Sequence, residues 1–229
     1  MIIYEGPSAI DGAPIVAIAT GLENPSDNAK TGAMVQVFII RADIAPIRAY
    51  KIGADFSICG NCPHRWHTGG FCYVNIGQAP GAVFRAYQAG QYPDLDATEF
   101  YGRAVRFGAY GDPAAVPFSA WAPILDACDI DNSTGYTHQA FKPWFDSRIA
   151  MFCQVSTDTE KQTEKAWRLG YKTFRVRTKD SVLPGEIECL SDARGIACID
   201  CKLCDGQTAN VFINAHGSRA PKTIEVINL

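Results

Sequence analysis

The chain has 229 residues and a net charge of −3, with 47% apolar and 20% charged residues. That is ordinary globular composition, enough for one large domain or two small ones with a full core and no covalent staples. There is no basic field to draw nucleic acid or a membrane surface, no basic-then-apolar leader and no window approaching a membrane span, so a cytoplasmic protein is expected. In that setting the nine cysteines read as reduced thiols or metal ligands rather than disulfides.

The first element, in chain order, is a strand over residues 34–41, Met-Val-Gln-Val-Phe-Ile-Ile-Arg, a near-continuous apolar run suited to burial on both faces. A helix is expected over 80–90, opening on Pro80 and closing at Gly90. A strand over 104–109 follows, then a helix over 119–128 with Ser119 as its N-cap, then a strand over 150–155. Thr157-Asp-Thr-Glu160 has the form of a capping box, opening a helix that stops at Gly170 before a strand over 173–177. That is a βαβ unit, which requires two parallel strands. Two more strands are expected at 185–189 and 210–215. The alternation predicts a single α/β domain over 1–229, with a parallel (β/α) barrel-like or partial-barrel sheet, or an open one, and cysteine-rich loops at 59–72 and 189–204. Polar clusters recur just after the predicted strands, which places the site at the carboxyl ends of a parallel sheet.

Cys198-Ile-Asp-Cys201-Lys-Leu-Cys204 is the most specific motif. A C-x2-C-x2-C run curls the backbone round one centre and suits three corners of an iron–sulfur cube, with Cys189 available as the fourth ligand. Zinc, which usually takes two separate C-x2-C knuckles, is the alternative. Cys59-Gly-Asn-Cys62 and Cys72 form a second group, needing a further ligand such as His64 or His67, or joining the C-terminal group in one site. Cys128 and Cys153 stand alone and read as small buried hydrophobes. Asp112 in Gly111-Asp-Pro113, His138 in Gly135-Tyr-Thr-His138 and His216 in Asn214-Ala-His-Gly217 are the candidate catalytic groups, each on a turn after a strand. Each is equally readable as a turn or surface residue. Gly217-Ser218-Arg219 is a weak anion-binding signal. The cationic run from Lys161 to Lys179 is interleaved with Asp158, Glu160 and Glu164 and reads as a solvated surface, so nucleic-acid binding is not indicated.

Cys59-Gly-Asn-Cys62-Pro63-His64-Arg65 with Cys72-Tyr-Val74, together with Asn28-Ala-Lys30-Thr31-Gly32, Tyr110-Gly-Asp112-Pro113, Gly135-Tyr-Thr-His138, Gly170-Tyr-Lys-Thr-Phe-Arg-Val176 and the C-terminal cysteine run, resembles a family of bacteriophage and prophage proteins of unassigned function. The pattern is also distantly similar to phage proteins of radical S-adenosylmethionine character, which implies a partial or full barrel with a cluster at its mouth. The C-x3-C-x2-C loop of that superfamily is absent here, the nearest approach being Cys59-x2-Cys62-x9-Cys72, which speaks against S-adenosylmethionine cleavage. The expectation is therefore a 4Fe-4S protein, with a redox or radical role on an unknown small molecule, nucleotide-related on the phage resemblance alone. The alternative is a zinc-stabilised, non-enzymatic protein that modulates a host factor.

Overall fold

In the computed structural model, which describes residues 1–177 and 181–215, nine strands align into one sheet. They are β1 (Ile2–Pro7), β2 (Pro14–Thr20), β3 (Val35–Arg41), β4 (Val105–Tyr110), β5 (Thr134–Thr137), β6 (Gln154–Thr157), β7 (Thr173–Arg177), β8 (Glu186–Glu188) and β9 (Asn210–Asn214). Their spatial order is β1-β2-β3-β4-β5-β6-β7-β9-β8. The first two pairings are antiparallel and every later one is parallel. The edges are β1 and β8, and no pairing closes them among the described residues, so the sheet is open and mostly parallel rather than a closed barrel.

Helices fill the connections: α1 (Pro46–Ile52), α2 (Phe56–Cys59), α3 (Ala79–Gln88), α4 (Phe118–Ala127), α5 (Glu160–Arg168), α6 (Leu190–Arg194) and α7 (Cys198–Cys201). None of them is long and apolar enough to cross a membrane. The apolar run of β3 is buried from Val35 to Ile40, as a central strand covered on both faces requires. β1 and β2 extend it as a hairpin whose turn is closed by the Ser8 amide donating to the Ala13 carbonyl at 2.8 Å. The hairpin's apolar run Ile15–Ala19 is entirely buried.

The expected βαβ unit is present as β6, α5 and β7, with a shifted start. Thr157 ends the strand and turns inward to Thr163, their hydroxyls 2.8 Å apart. Thr159 is the N-cap instead, accepting from the Gln162 amide at 3.2 Å, while the Gln162 side chain accepts from the Asp158 amide at 2.8 Å. The strand expected over 150–155 begins only at Gln154. Residues Ser147–Met151 form a 3-10 turn capped by Asp146, because Ile149 and Phe152 are drawn into the core beside Phe107 and Trp121. Helix α4 starts before Ser119, at Phe118, and has no side-chain cap.

The cationic run differs from its expected reading at one position. Arg175 is 3% exposed and makes a bidentate pair with Glu186, Nε to Oε1 at 2.7 Å and Nη2 to Oε2 at 2.5 Å. Lys179, His216 and Gly217-Ser218-Arg219 lie outside the described residues.

Candidate metal and substrate cavities

Three parallel strands deliver polar side chains at their carboxyl ends: Asp112 two residues after β4, His138 directly after β5 and Asp158 directly after β6. Asp112 is committed to backbone. Its carboxylate accepts from the amides of Ala114 at 3.0 Å and His138 at 2.8 Å, so it clamps the turn that carries His138. Burial raises its pKa, and those amide donors pull it partly back.

The loop bearing Cys59, Cys62 and Cys72 is built around Arg65, which is 7% exposed. Its guanidinium pairs with Asp55, Nη2 to Oδ1 at 2.5 Å and Nε to Oδ2 at 3.0 Å, and donates to the carbonyls of Gly60 and Gly53. One buried cation thereby holds the loop from several sides. Gly60 takes φ +52, and a Cβ there would strike the Gln139 side chain. Gln139 in turn donates to the Cys59 carbonyl at 2.9 Å. The Cys72 amide donates to the His64 carbonyl at 2.8 Å, drawing the two ends of the loop together.

His64 is packed edge-on against Phe71, with ring centroids 4.3 Å apart. Its Nε2 lies 2.6 Å from Asp158 Oδ1, and His138 Nε2 lies 3.5 Å from Asp158 Oδ2. Donor atoms of His64, His138 and Asp158 fall within 4.8 Å of one another, and no cysteine trio does so among the described residues. Burial would lower the His138 pKa, but the neighbouring Cys62 and Asp158 carry it well above the ordinary imidazole value. Burial would raise that of Asp158, and the two imidazoles hold it below the usual carboxylate range instead. His67 turns away, its Nδ1 3.1 Å from the Tyr50 carbonyl.

Cys59, Cys62, Cys72, His64, His138 and Asp112 all border one cavity of about 140 Å³. Three of its lining atoms are buried without a hydrogen-bond partner among the described residues, His64 Nδ1, Tyr110 Oη and Arg106 Nε, while His138 Nε2 has Asp158 Oδ2 at 3.5 Å. Native interiors leave few such atoms bare, so these three polar atoms face a space that water or another polar group can fill.

The C-terminal cysteines converge on an adjoining cavity. Cys189 follows β8 and its amide donates to the Phe212 carbonyl at 2.8 Å, while the Cys198 amide donates to the Lys30 carbonyl at 2.8 Å. Lys202, at φ +60, turns the chain between Cys201 and Cys204. Cys189, Cys198, Cys201 and Cys204 border one space, with Lys30 and Arg106 on its wall. That space is about 30 Å³, room for roughly two waters. Burial pushes the Cys198 and Cys204 thiols up, Arg106 and Lys30 countering it at Cys198 and the Tyr136 hydroxyl at Cys204. Tyr73, Arg106, Tyr136 and Phe174 belong to both cavities and form the wall between them.

Cys153 is fully buried and Cys128 half-buried, and neither borders these cavities. Asp158 and Arg106 carry no motif of their own. The position of Asp158 directly after a strand is the one signal the sequence offered for it, and Arg106 is hidden inside an apolar strand. Comparison with protein-family models, curated proteins and solved structures finds no match.

Proposed function

We propose that this protein binds an iron–sulfur cluster through Cys189, Cys198, Cys201 and Cys204 and relays an electron between a redox partner and a small molecule held in the adjoining cavity. The observation that carries this reading is the convergence of four cysteines, spread over residues 189–204, on one cavity whose charged neighbours among the described residues are the cations Lys30 and Arg106. An anionic thiolate cluster is stabilised by such a wall. A single zinc ion, at Zn–S of about 2.3 Å, draws tetrahedral thiolates to roughly 3.8 Å apart. A C-x2-C-x2-C row with Cys189 as fourth ligand suits the corners of a cluster better than the paired knuckles of zinc. Cys59, Cys62 and Cys72 serve as a second ligation site, and His138 is the proton-carrying group facing the small molecule. Arg106, Tyr136 and Phe174, from three different strands, line both cavities, as one face of a parallel sheet allows. The motif resemblance adds a phage-encoded protein working in a host cytoplasm.

Anaerobic purification tests this directly. Brown protein with broad visible absorption, iron and acid-labile sulfide is expected, with part of the iron lost in Cys198→Ser/Cys201→Ser and another part in Cys59→Ser/Cys62→Ser. Colourless protein with stoichiometric zinc and no sulfide would end the reading.

A second reading rests on a separate observation, the clustering of His64, His138 and Asp158 within 4.8 Å. It is a mononuclear ion such as zinc on two imidazoles and a carboxylate. In that case metal binding survives replacement of all seven motif cysteines and is lost in His138→Ala.

A further inference from the structure

A third cavity, of about 290 Å³, opens beside the second one and shares Tyr73, Val74, Arg106 and Ala109 with it. Its chemistry is different. No carboxylate and no cysteine lines it, while Lys30 and Arg106 both do, together with the side-chain amides of Asn28, Asn75 and Gln78. Neither cation makes an ion pair with any described residue, and the Arg106 Nε makes no hydrogen bond to one. Arg106 is half-buried, and its Nε is fully buried with no acceptor among the described residues, which costs free energy unless a ligand or water supplies one. In a chain of net charge −3, two unpaired cations in one acid-free cavity are a local reversal of sign.

The framework around them is fixed. Arg106 lies opposite Gln36 in the parallel pairing of β3 and β4, so both side chains stand on the same face of the sheet. Gln36 is held by Thr31 Oγ1 at 3.2 Å and the Met34 carbonyl at 3.0 Å, and the Lys30 amide is held by Asn28 Oδ1 at 3.0 Å. Ala79 and Pro80, the first residues of the ten-residue helix α3, also border the cavity, and that helix has no side-chain cap. Pro80 has no N–H to offer, so the helix adds its dipole and the Ala79 amide as a third positive contribution.

We propose that Lys30 and Arg106 bind a phosphoryl group, so that the small molecule of this protein is a phosphorylated compound. Its anionic end sits against Lys30, Arg106 and the first turn of α3, and its other end reaches past Tyr73 into the cavity of Cys59, Cys62 and His138. Arg106 is the pivot because it borders all three cavities. The guanidinium fork matches a phosphoryl oxygen pair and the lysine supplies a point charge. The proposal rests on the cluster reading only for what happens at the far end of the compound.

The test is calorimetric titration of the full chain with pyrophosphate, inorganic phosphate and citrate at low and moderate salt. Saturable pyrophosphate binding that weakens with salt is expected, reduced roughly tenfold by Lys30→Gln and by Arg106→Gln and less by Arg106→Lys. Lys30→Gln keeps the comparison informative if Arg106→Gln fails to fold. Absence of saturable phosphate or pyrophosphate binding overturns the proposal, as does binding unchanged in Lys30→Gln and Arg106→Lys, or tighter binding of citrate. No cysteine lines this cavity, so Cys198→Ser/Cys201→Ser should still bind pyrophosphate. A protein without iron that binds pyrophosphate sinks the cluster reading alone. An iron-loaded protein that ignores pyrophosphate sinks this inference alone.

Discussion

His64 and Asp158, ninety-four residues apart, meet with Nε2 2.6 Å from Oδ1, and the other oxygen of Asp158 faces His138 at 3.5 Å. The contact ties the N-terminal cysteine loop to the carboxyl end of β6. It also fixes the His64 ring so that its bare Nδ1 is left for an occupant. A carboxylate that orients an imidazole in this way is the usual support of a metal-binding or proton-transferring histidine.

Replacing Asp158 by Ala leaves two buried imidazoles without their acceptor. A loss of about 3 kcal/mol is expected, the scale for breaking a buried pair from one side. Asp158→Asn should lose less, because the amide oxygen still accepts from His64. Urea unfolding of the metal-free proteins measures both, and an Ala variant as stable as the parent would show the contact to be incidental.

Glu186 and Arg175 make a comparable junction on the far side of the sheet, with side chains 0% and 3% exposed. Glu186 also accepts from the Leu183 amide at 2.9 Å, which shapes the approach to β8 and so to Cys189. Glu186→Ala should cost about 3 kcal/mol by stranding the guanidinium. The paired replacement Arg175→Met/Glu186→Leu should cost less than the single one. If the order of stabilities is reversed, the pair is not what holds this corner.

Much of this architecture was legible in the chain. The apolar run of β3, the β6-α5-β7 unit and the C-terminal cysteine motif are local patterns, and local patterns survive folding. Other features are not local. β5 is four residues long and contains Gly135, where a Cβ would strike Cys153 Sγ, so its identity depends on a residue in the next segment. Asp158 becomes a partner of His64 only when β6 lies beside β5. Arg106 looks like an ordinary strand position until segments distant in sequence pack round it and make it a wall of three cavities.

Gly60 offers a sharp probe of the N-terminal cysteine loop. At φ +52 an L residue is strained by about 1–2 kcal/mol, and its Cβ would push on Gln139, the donor to the Cys59 carbonyl. Gly60→Ala should therefore lower the thermal midpoint and cut the metal bound by Cys59, Cys62 and Cys72, while leaving the C-terminal site loaded. Metal analysis of this variant in a Cys198→Ser/Cys201→Ser background isolates that site. Full retention there would show that Gly60 does not position Cys59.

Metal uptake should depend on pH in a definite direction. Burial pushes the Cys72 thiol up to about 11, and it pushes the Cys59, Cys198, Cys201 and Cys204 thiols up as well. At neutral pH these groups are protonated in the metal-free protein, yet they ligate as thiolates, so loading must release protons. Apparent affinity then rises with pH across the range 6–9 instead of levelling off near a normal thiol value. Anaerobic titration with ferrous ion or zinc at stepped pH, with proton release followed by calorimetry in buffers of different ionisation enthalpy, reads this out. The thiols are favoured as ligands if release approaches one proton per cysteine and falls in step as cysteines are replaced. Proton release that persists after all the motif cysteines are replaced assigns the metal instead to His64, His138 and Asp158, where His138, held above the ordinary imidazole value, must itself give up a proton to ligate.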